Sequence, residues 1–188
     1  MDLFTNYLLQ FGSLNEKQIA LIQSKLKRRS LQKNAYFSEA GKVARELAFI
    51  EEGILRSCYY DNKGEEVTYY FIAENNFFTD VESFLHRIFS NGYVQAVTDC
   101  ELIVINNDDY DQLSATIMNW DLIFQKIATK VLMDKTNTLK HLMTEDALTK
   151  YQHFLHHFPN LANRVPLVQI ASFLGITPSS LSRIRRQK

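Results

Sequence analysis

Residues 165–188, VPLVQIASFLGITPSSLSRIRRQK, read as two short helices joined by a tight turn. Pro166 stands near the start of the first helix, where a missing N–H costs nothing. Ile170 and Leu174 form that helix's apolar pair, and Ala171 is small enough to let a second helix approach. Gly175 supplies the left-handed conformation that ends the first helix. Thr177 then caps a second helix that opens with Pro178. Leu181 and Ile184 face back toward Ile170 and Leu174. The other face offers Ser179, Ser180, Ser182, Arg183 and Arg186. Small polar side chains followed one turn later by arginine suit the floor of a DNA major groove. The segment is a helix-turn-helix pattern, and the alternative is a plain helical hairpin. Candidate DNA contacts are Gln169, Thr177, Ser179, Ser180, Ser182, Arg183, Arg185, Arg186 and Lys188. Arg183, on the face of Ser179 and Ser180, is placed to read base edges; Arg185, Arg186 and Lys188 are placed to hold phosphates.

The charge distribution agrees. The 188 residues carry 21 basic and 21 acidic side chains, yet no acid follows Asp146. Residues 144–188 hold Lys150, Arg164, Arg183, Arg185, Arg186 and Lys188 against Glu145 and Asp146. A basic tail on an otherwise acidic chain suits a polyanion, with a merely solvated tail as the alternative. Apolar residues at 46% and charged residues at 22% exclude a disordered chain, a collagen-like fibre and a coiled-coil rod. The length fits one large domain or two small ones. No apolar run reaches the ~18 residues of a membrane helix. The start, MDLFTNYLLQFGSLNE, has no basic n-region, so neither a signal peptide nor a membrane partner is expected. Cys58 and Cys100 cannot make a disulfide framework, and the expected setting is cytoplasmic and reducing.

Upstream, residues 13–29 read as a helix with a Ser13/Glu16 capping box, apolar Ile19, Ile22 and Leu26, and Lys25, Lys27, Arg28 and Arg29 at the negative end of its dipole. From about Tyr36 to Ile105, short β-branched and aromatic runs alternate with Gly41, Gly53, Asn62-Lys63-Gly64 and Asn91-Gly92 turns. Short strands at this spacing predict an antiparallel sandwich or barrel. Asp108, Asp109 and Asp111 fit the start of a helix. A helical pattern runs from about Asp109 to Met143, with Trp120, Ile123, Phe124, Ile127, Val131, Leu132, Leu139 and Leu142 on a broad face. Part of that face suits the β unit and the rest a second copy of the chain, with Phe124, Ile127 and Val131 as dimer contacts. Residues 145–158 form a further helix, stopped by Pro159.

Taken together, the chain resembles the Crp/Fnr family of bacterial transcription regulators over roughly residues 14–188. In the β unit the resemblance rests on Tyr36-Phe-Ser-Glu-Ala-Gly41, Leu47-Ala-Phe-Ile-Glu-Glu-Gly53 and the loop ending at Gly64. Asn76-Phe-Phe-Thr-Asp-Val-Glu-Ser83 is similar to the segment that opens the family's phosphate-binding cassette, and Tyr93-Val-Gln-Ala-Val97 to the strand that follows it. The resemblance implies an α+β fold: an N-terminal antiparallel β-roll of the jelly-roll type with flanking helices, a long dimer helix, and a C-terminal helix-turn-helix domain. It divides the chain into a sensor roll over residues 1–112, a dimerisation helix over 113–143 and a DNA-binding domain over 144–188. It implies a homodimer, double-stranded DNA and RNA polymerase as partners, and no catalysis.

The resemblance places the effector pocket at Phe78, Thr79, Asp80, Val81, Arg87, Ser90, Asn91 and Gly92. The family's cyclic-nucleotide binders carry Gly-Glu, the glutamate holding the ribose, and an arginine that holds the cyclic phosphate. Here Thr79-Asp80 stands for the first and Ser90 for the arginine. A buried phosphate needs a cation, which Ser90 does not supply, and Arg87 is the substitute within reach in sequence. An unidentified small-molecule effector is therefore expected rather than cAMP, with no certain cofactor. Four cysteines would be needed for an Fnr-type cluster, and two are present. The ending Leu181-Ser-Arg-Ile-Arg-Arg-Gln-Lys188 resembles a branch of the family without a β wing.

The remaining constellations are quieter. His153, His156 and His157 have a spacing that can bind zinc, yet read as surface histidines with no metal. Cys58 and Cys100 read as small buried hydrophobes. No Gly-rich phosphate loop, G-x-S-x-G elbow or H-E-x-x-H is present. Two functions remain: a dimeric sequence-specific regulator, or a ligand-binding roll whose C-terminal helices dock protein. The second would show leucine or phenylalanine exposed on the last helix.

Overall fold

In the computed structural model, which describes residues 2–186, most strands are buried on two faces at once. The order is α1 (Leu3–Leu8), α2 (Glu16–Lys25), β1 (Lys27–Leu31), β2 (Tyr36–Ser38), β3 (Glu46–Glu52), β4 (Leu55–Tyr60), β5 (Glu66–Ile72), β6 (Phe77–Phe78) and α3 (Val81–His86). Then follow β7 (Tyr93–Ala96), β8 (Cys100–Asn106), α4 (Asn107–Thr116), α5 (Trp120–Thr144), α6 (Ala147–His157), α7 (Leu167–Leu174) and α8 (Pro178–Arg186). Two four-stranded antiparallel sheets, β1-β8-β3-β6 and β2-β7-β4-β5, face each other as the expected roll.

The period of two along each strand explains why the sequence shows continuous apolar runs. Ala48 and Ile50 of β3, with Leu102 and Val104 of β8, point into the roll against Leu55, Tyr70, Ile72 and Val94 of the second sheet. Leu47, Phe49, Ile103 and Ile105, from the same two strands, point outward into a second core. That core is capped by α1 through Phe4 and Tyr7, by α4 through Tyr110 and Leu113, and by the first turns of α5 through Trp120, Ile123, Phe124 and Ile127. A third core joins Ile54, Phe71 and Val97 to the C-terminal helices. Each large side chain fully buried in these layers contributes about 1.5–3 kcal/mol. Gly53 turns the chain from β3 to β4 at φ 102°, where a Cβ would lie 2.5 Å from the Asp99 carbonyl oxygen.

Several expectations require correction. The helix expected over 13–29 ends at Lys25, and Lys27, Arg28 and Arg29 belong to β1. They pair with acids across the sheet, Arg28 with Glu51 at 2.8 Å and Arg29 with Glu46, so their charge serves an outermost strand rather than a helix end. The capping box is built by Asn15 and Gln18, each accepting the other's N–H at 2.9 Å, not by Ser13 and Glu16. The helical run expected from Asp109 to Met143 is two helices. Ile117 is extended and buried between them, and the Asn119 side chain donates to the Ser13 carbonyl at 2.9 Å. Neither proline nor glycine marks this break; it is made by burial of Ile117. The boundary drawn between residues 112 and 113 consequently falls inside α4. Helix α1 had no expectation at all.

The C-terminal helices dock directly on the roll. Phe71 of β5 meets Phe154, Phe158 and Phe173 at ring separations of 6.2, 6.3 and 5.2 Å. Thr68 N–H donates to Ser172 Oγ at 3.0 Å, and Arg164 pairs with Glu74 at 2.5 Å.

Candidate functional site

Helices α7 and α8 form around Ile170, Ala171, Leu174 and Leu181, all buried, with Ile184 packed beside them. Gly175 ends α7 in the left-handed conformation at φ 65°. Thr177 Oγ1 accepts the Ser180 N–H at 3.1 Å and lies 3.0 and 2.9 Å from the hydroxyls of Ser179 and Ser180. The cap thus consumes the Ser180 N–H. Ser179, Arg183, Arg185 and Arg186 are exposed, while Ser180 and Ser182 are half-buried. Neither Asp146 nor Glu145, the acids nearest in sequence, forms an ion pair with Arg183. Gln169 is half-buried, and its Oε1 is buried without a hydrogen-bond partner. Lys188 lies outside the described residues.

In the roll, the segment expected to hold an effector is closed by its own side chains. Asp80 caps α3 by accepting the Ser83 N–H at 3.1 Å, and its other oxygen accepts from Ser90 Oγ at 2.7 Å. Ser90 is buried, and its hydroxyl also accepts the Gly92 N–H at 3.3 Å. Thr79 donates to the Glu46 carbonyl at 3.0 Å. Phe78 faces the roll interior, Val81 and Asn91 are exposed, and Gly92 is half-buried. Arg87 does not substitute for the missing cation. It sits at φ 57° after α3, turned toward α4, with its guanidinium 2.7 Å from Asp111.

Residues 28–116 match the profile of the cyclic nucleotide-binding domain. This segment is similar to a cyclic nucleotide-binding domain. No curated protein sequence matches the chain. Among solved structures, a transcriptional regulator of the Crp/Fnr family from Eubacterium rectale aligns with TM-score 0.74 at 18% identity, covering 97% of this chain and 87% of that one. FixK2 from Bradyrhizobium japonicum aligns with TM-score 0.75 at 14% identity, over 86% and 83%. The c-di-GMP responsive regulator CLP from Xanthomonas campestris aligns with TM-score 0.71 at 17% identity, over 92% and 91%. The chain therefore has the Crp/Fnr fold over most of its length, as the resemblance implied.

One residue near the mouth of the roll escaped the sequence reading. Lys135 of α5 leans over the roll with its ammonium 4.9 Å from the centre of the Tyr70 ring. Burial lowers its pKa, and the Asp80 carboxylate works against that shift. It lines a small cavity of about 60 Å³ with Phe78, Thr79 and Val81, and a larger one of about 340 Å³ with Tyr70 and Asn160. Only the alignment of α5 across the roll brings it there, 45 residues after Ser90 in the chain.

The expected dimer contacts also move. Phe124 and Ile127 are 8% and 3% exposed and belong to the chain's own core, so they have no surface to give a partner. Val131 is half-buried on the same side. Cys58 and Cys100 are buried as expected, and burial pushes the Cys58 thiol up to about 11. His153 is at the surface and stacks on His141 with ring centroids 4.1 Å apart.

Proposed function

We propose that the chain is a homodimeric, sequence-specific DNA-binding regulator of transcription that acts in the cytoplasm, and that its roll takes an effector other than cAMP. The observation that carries this reading is the face of α8. Its inner side is fixed by Leu181, its N-terminus is capped by Thr177, and its outer side presents Ser179, Arg183 and Arg186. No leucine or phenylalanine stands among those outer residues, as a protein-docking helix would require. RNA polymerase is the partner such a regulator would act upon.

Dimerisation would use the face of α5 that the roll leaves open. Leu122, Gln125, Thr129, Leu132, Thr136, Leu139 and Met143 are all exposed and follow one another at alternating steps of three and four. That is the spacing of a two-stranded seam. Thr129 and Thr136 donate to the Gln125 and Leu132 carbonyls at 2.8 Å, so their hydroxyls bring no unmet polar group into it.

The test is a pair of binding isotherms, on a selected operator and on random duplex, across a salt series. Arg183→Ala should weaken the operator by about 1–3 kcal/mol while leaving random duplex little changed. Arg186→Ala should weaken both alike and reduce the salt slope by about one. Failure to select any preferred duplex would overturn the reading.

A further inference from the structure

We infer that the junction of α5 and α6 is a binding site for a divalent transition-metal ion of the zinc class, held by His141, Glu145 and His153. The last turn of α5 presents His141, Glu145 ends that helix, and α6 folds back to bring in His153. Glu145 Oε1 lies 2.7 Å from His141 Nδ1 and 3.3 Å from His153 Nε2. The three ligand atoms all fall within 4.8 Å of one another.

Bond lengths of 2.0–2.1 Å in a tetrahedral site put neighbouring ligand atoms about 3.3 Å apart. The His153 pair has that separation, and the His141 pair must open by only about 0.6 Å to reach it. Two further observations point to a cation. Glu145 Oε2 is buried and has no hydrogen-bond partner, although a carboxylate oxygen in that position is a strong acceptor. The group also sits at the C-terminal end of α5, where the helix dipole favours positive charge. A cavity of about 230 Å³ adjoins it, lined by His141, His153, Asp134 and His157 among others, leaving room for a water at the fourth position. Two imidazoles and one carboxylate select zinc, cobalt or nickel over calcium or magnesium.

The ligands come from both sides of the joint between the long helix and the helices that carry α8. A bound ion would therefore fix the angle between them. The site does not depend on the DNA-binding reading, and neither does its test. The full chain, stripped with a chelator, is titrated with Zn²⁺ alone by calorimetry and with Co²⁺ alone by visible absorption. One ion per chain is expected, with the intense visible bands of a four-coordinate cobalt centre. Glu145→Gln, which keeps the shape of the side chain, and His153→Ala should each weaken binding by at least the about 10–100-fold that loss of an outer-shell partner costs. His156→Ala, on the same helix, should bind as the unaltered chain does. Absence of stoichiometric binding would overturn the proposal. So would affinity that survives in Glu145→Gln, a variant whose fold is checked independently by circular dichroism.

Discussion

A cyclic phosphate entering the roll would meet the Ser90 hydroxyl already committed to Asp80 at 2.7 Å, and an Asp80 carboxylate where negative charge is unwelcome. Titration with cAMP should accordingly give no binding at micromolar concentration. If heat were released, Lys135→Met would show whether the ammonium over Tyr70 had supplied the charge. A second residue-scale consequence concerns Glu74. Burial raises its pKa, but hydrogen bonds from Arg164 and from the Gly53 amide outweigh that and hold it below the usual 4.5. A carboxyl lowered in the folded state stabilises above its unfolded pKa, and the contribution is lost as pH falls through the folded value. Thermal unfolding of the unaltered chain should thus lose ground to Glu74→Gln below about pH 4.5, and the two should run parallel above pH 6. The exchange of arginine for Ser90 was legible in the sequence, because it needs only linear order. Lys135 and His141 were not, because each matters through a neighbour far along the chain or on another helix.

At the scale of elements, α5 has two faces with different owners. Its first turns bury Ile123, Phe124 and Ile127 in the roll's outer core, while Leu132 is 64% and Met143 84% exposed. Helical periodicity reveals that a side is apolar, but not whether the same chain or a second copy covers it, which is why Phe124 and Ile127 were misassigned. Leu132→Glu or Leu139→Glu should shift the protein toward monomer in sedimentation at micromolar concentration without lowering the stability of the monomer. Phe124→Glu should instead unfold it. A monomeric unaltered chain would remove the seam. Strand β1 was hidden for a related reason: Lys27-Arg28-Arg29-Ser30 has the composition of a helix end, and only its backbone pairing with β8 makes it a strand, while Glu46, Glu51 and Glu101 meet its side chains. Strands β3, β4, β5 and β8 were legible because each has a run of residues buried on both faces.

Across the whole molecule, the roll and the C-terminal helices share one apolar layer, with Phe71 set among Phe154, Phe158 and Phe173. The order of the parts was legible, from the capped turn at Gly175 and Thr177 and the strand-like runs before it. Their docking was not, since nothing in Phe71 or Ser172 announces the other. That contact has a protective side. Strand β5 lies last in its sheet, so its outer row of amides and carbonyls has no strand to bond. Ser172 answers for two of them, accepting from Thr68 N–H at 3.0 Å and donating to the Glu66 carbonyl at 3.4 Å. Remove the last helices and an unpaired edge is laid bare beside a naked phenylalanine, the template on which copies polymerise. A fragment of residues 1–146 should elute from a sizing column as assemblies larger than the intact protein and bind amyloid dye on standing. Elution at the intact protein's oligomeric order would count against this. The C-terminal helices are thus the gatekeepers that keep the sheets of neighbouring molecules from zipping together.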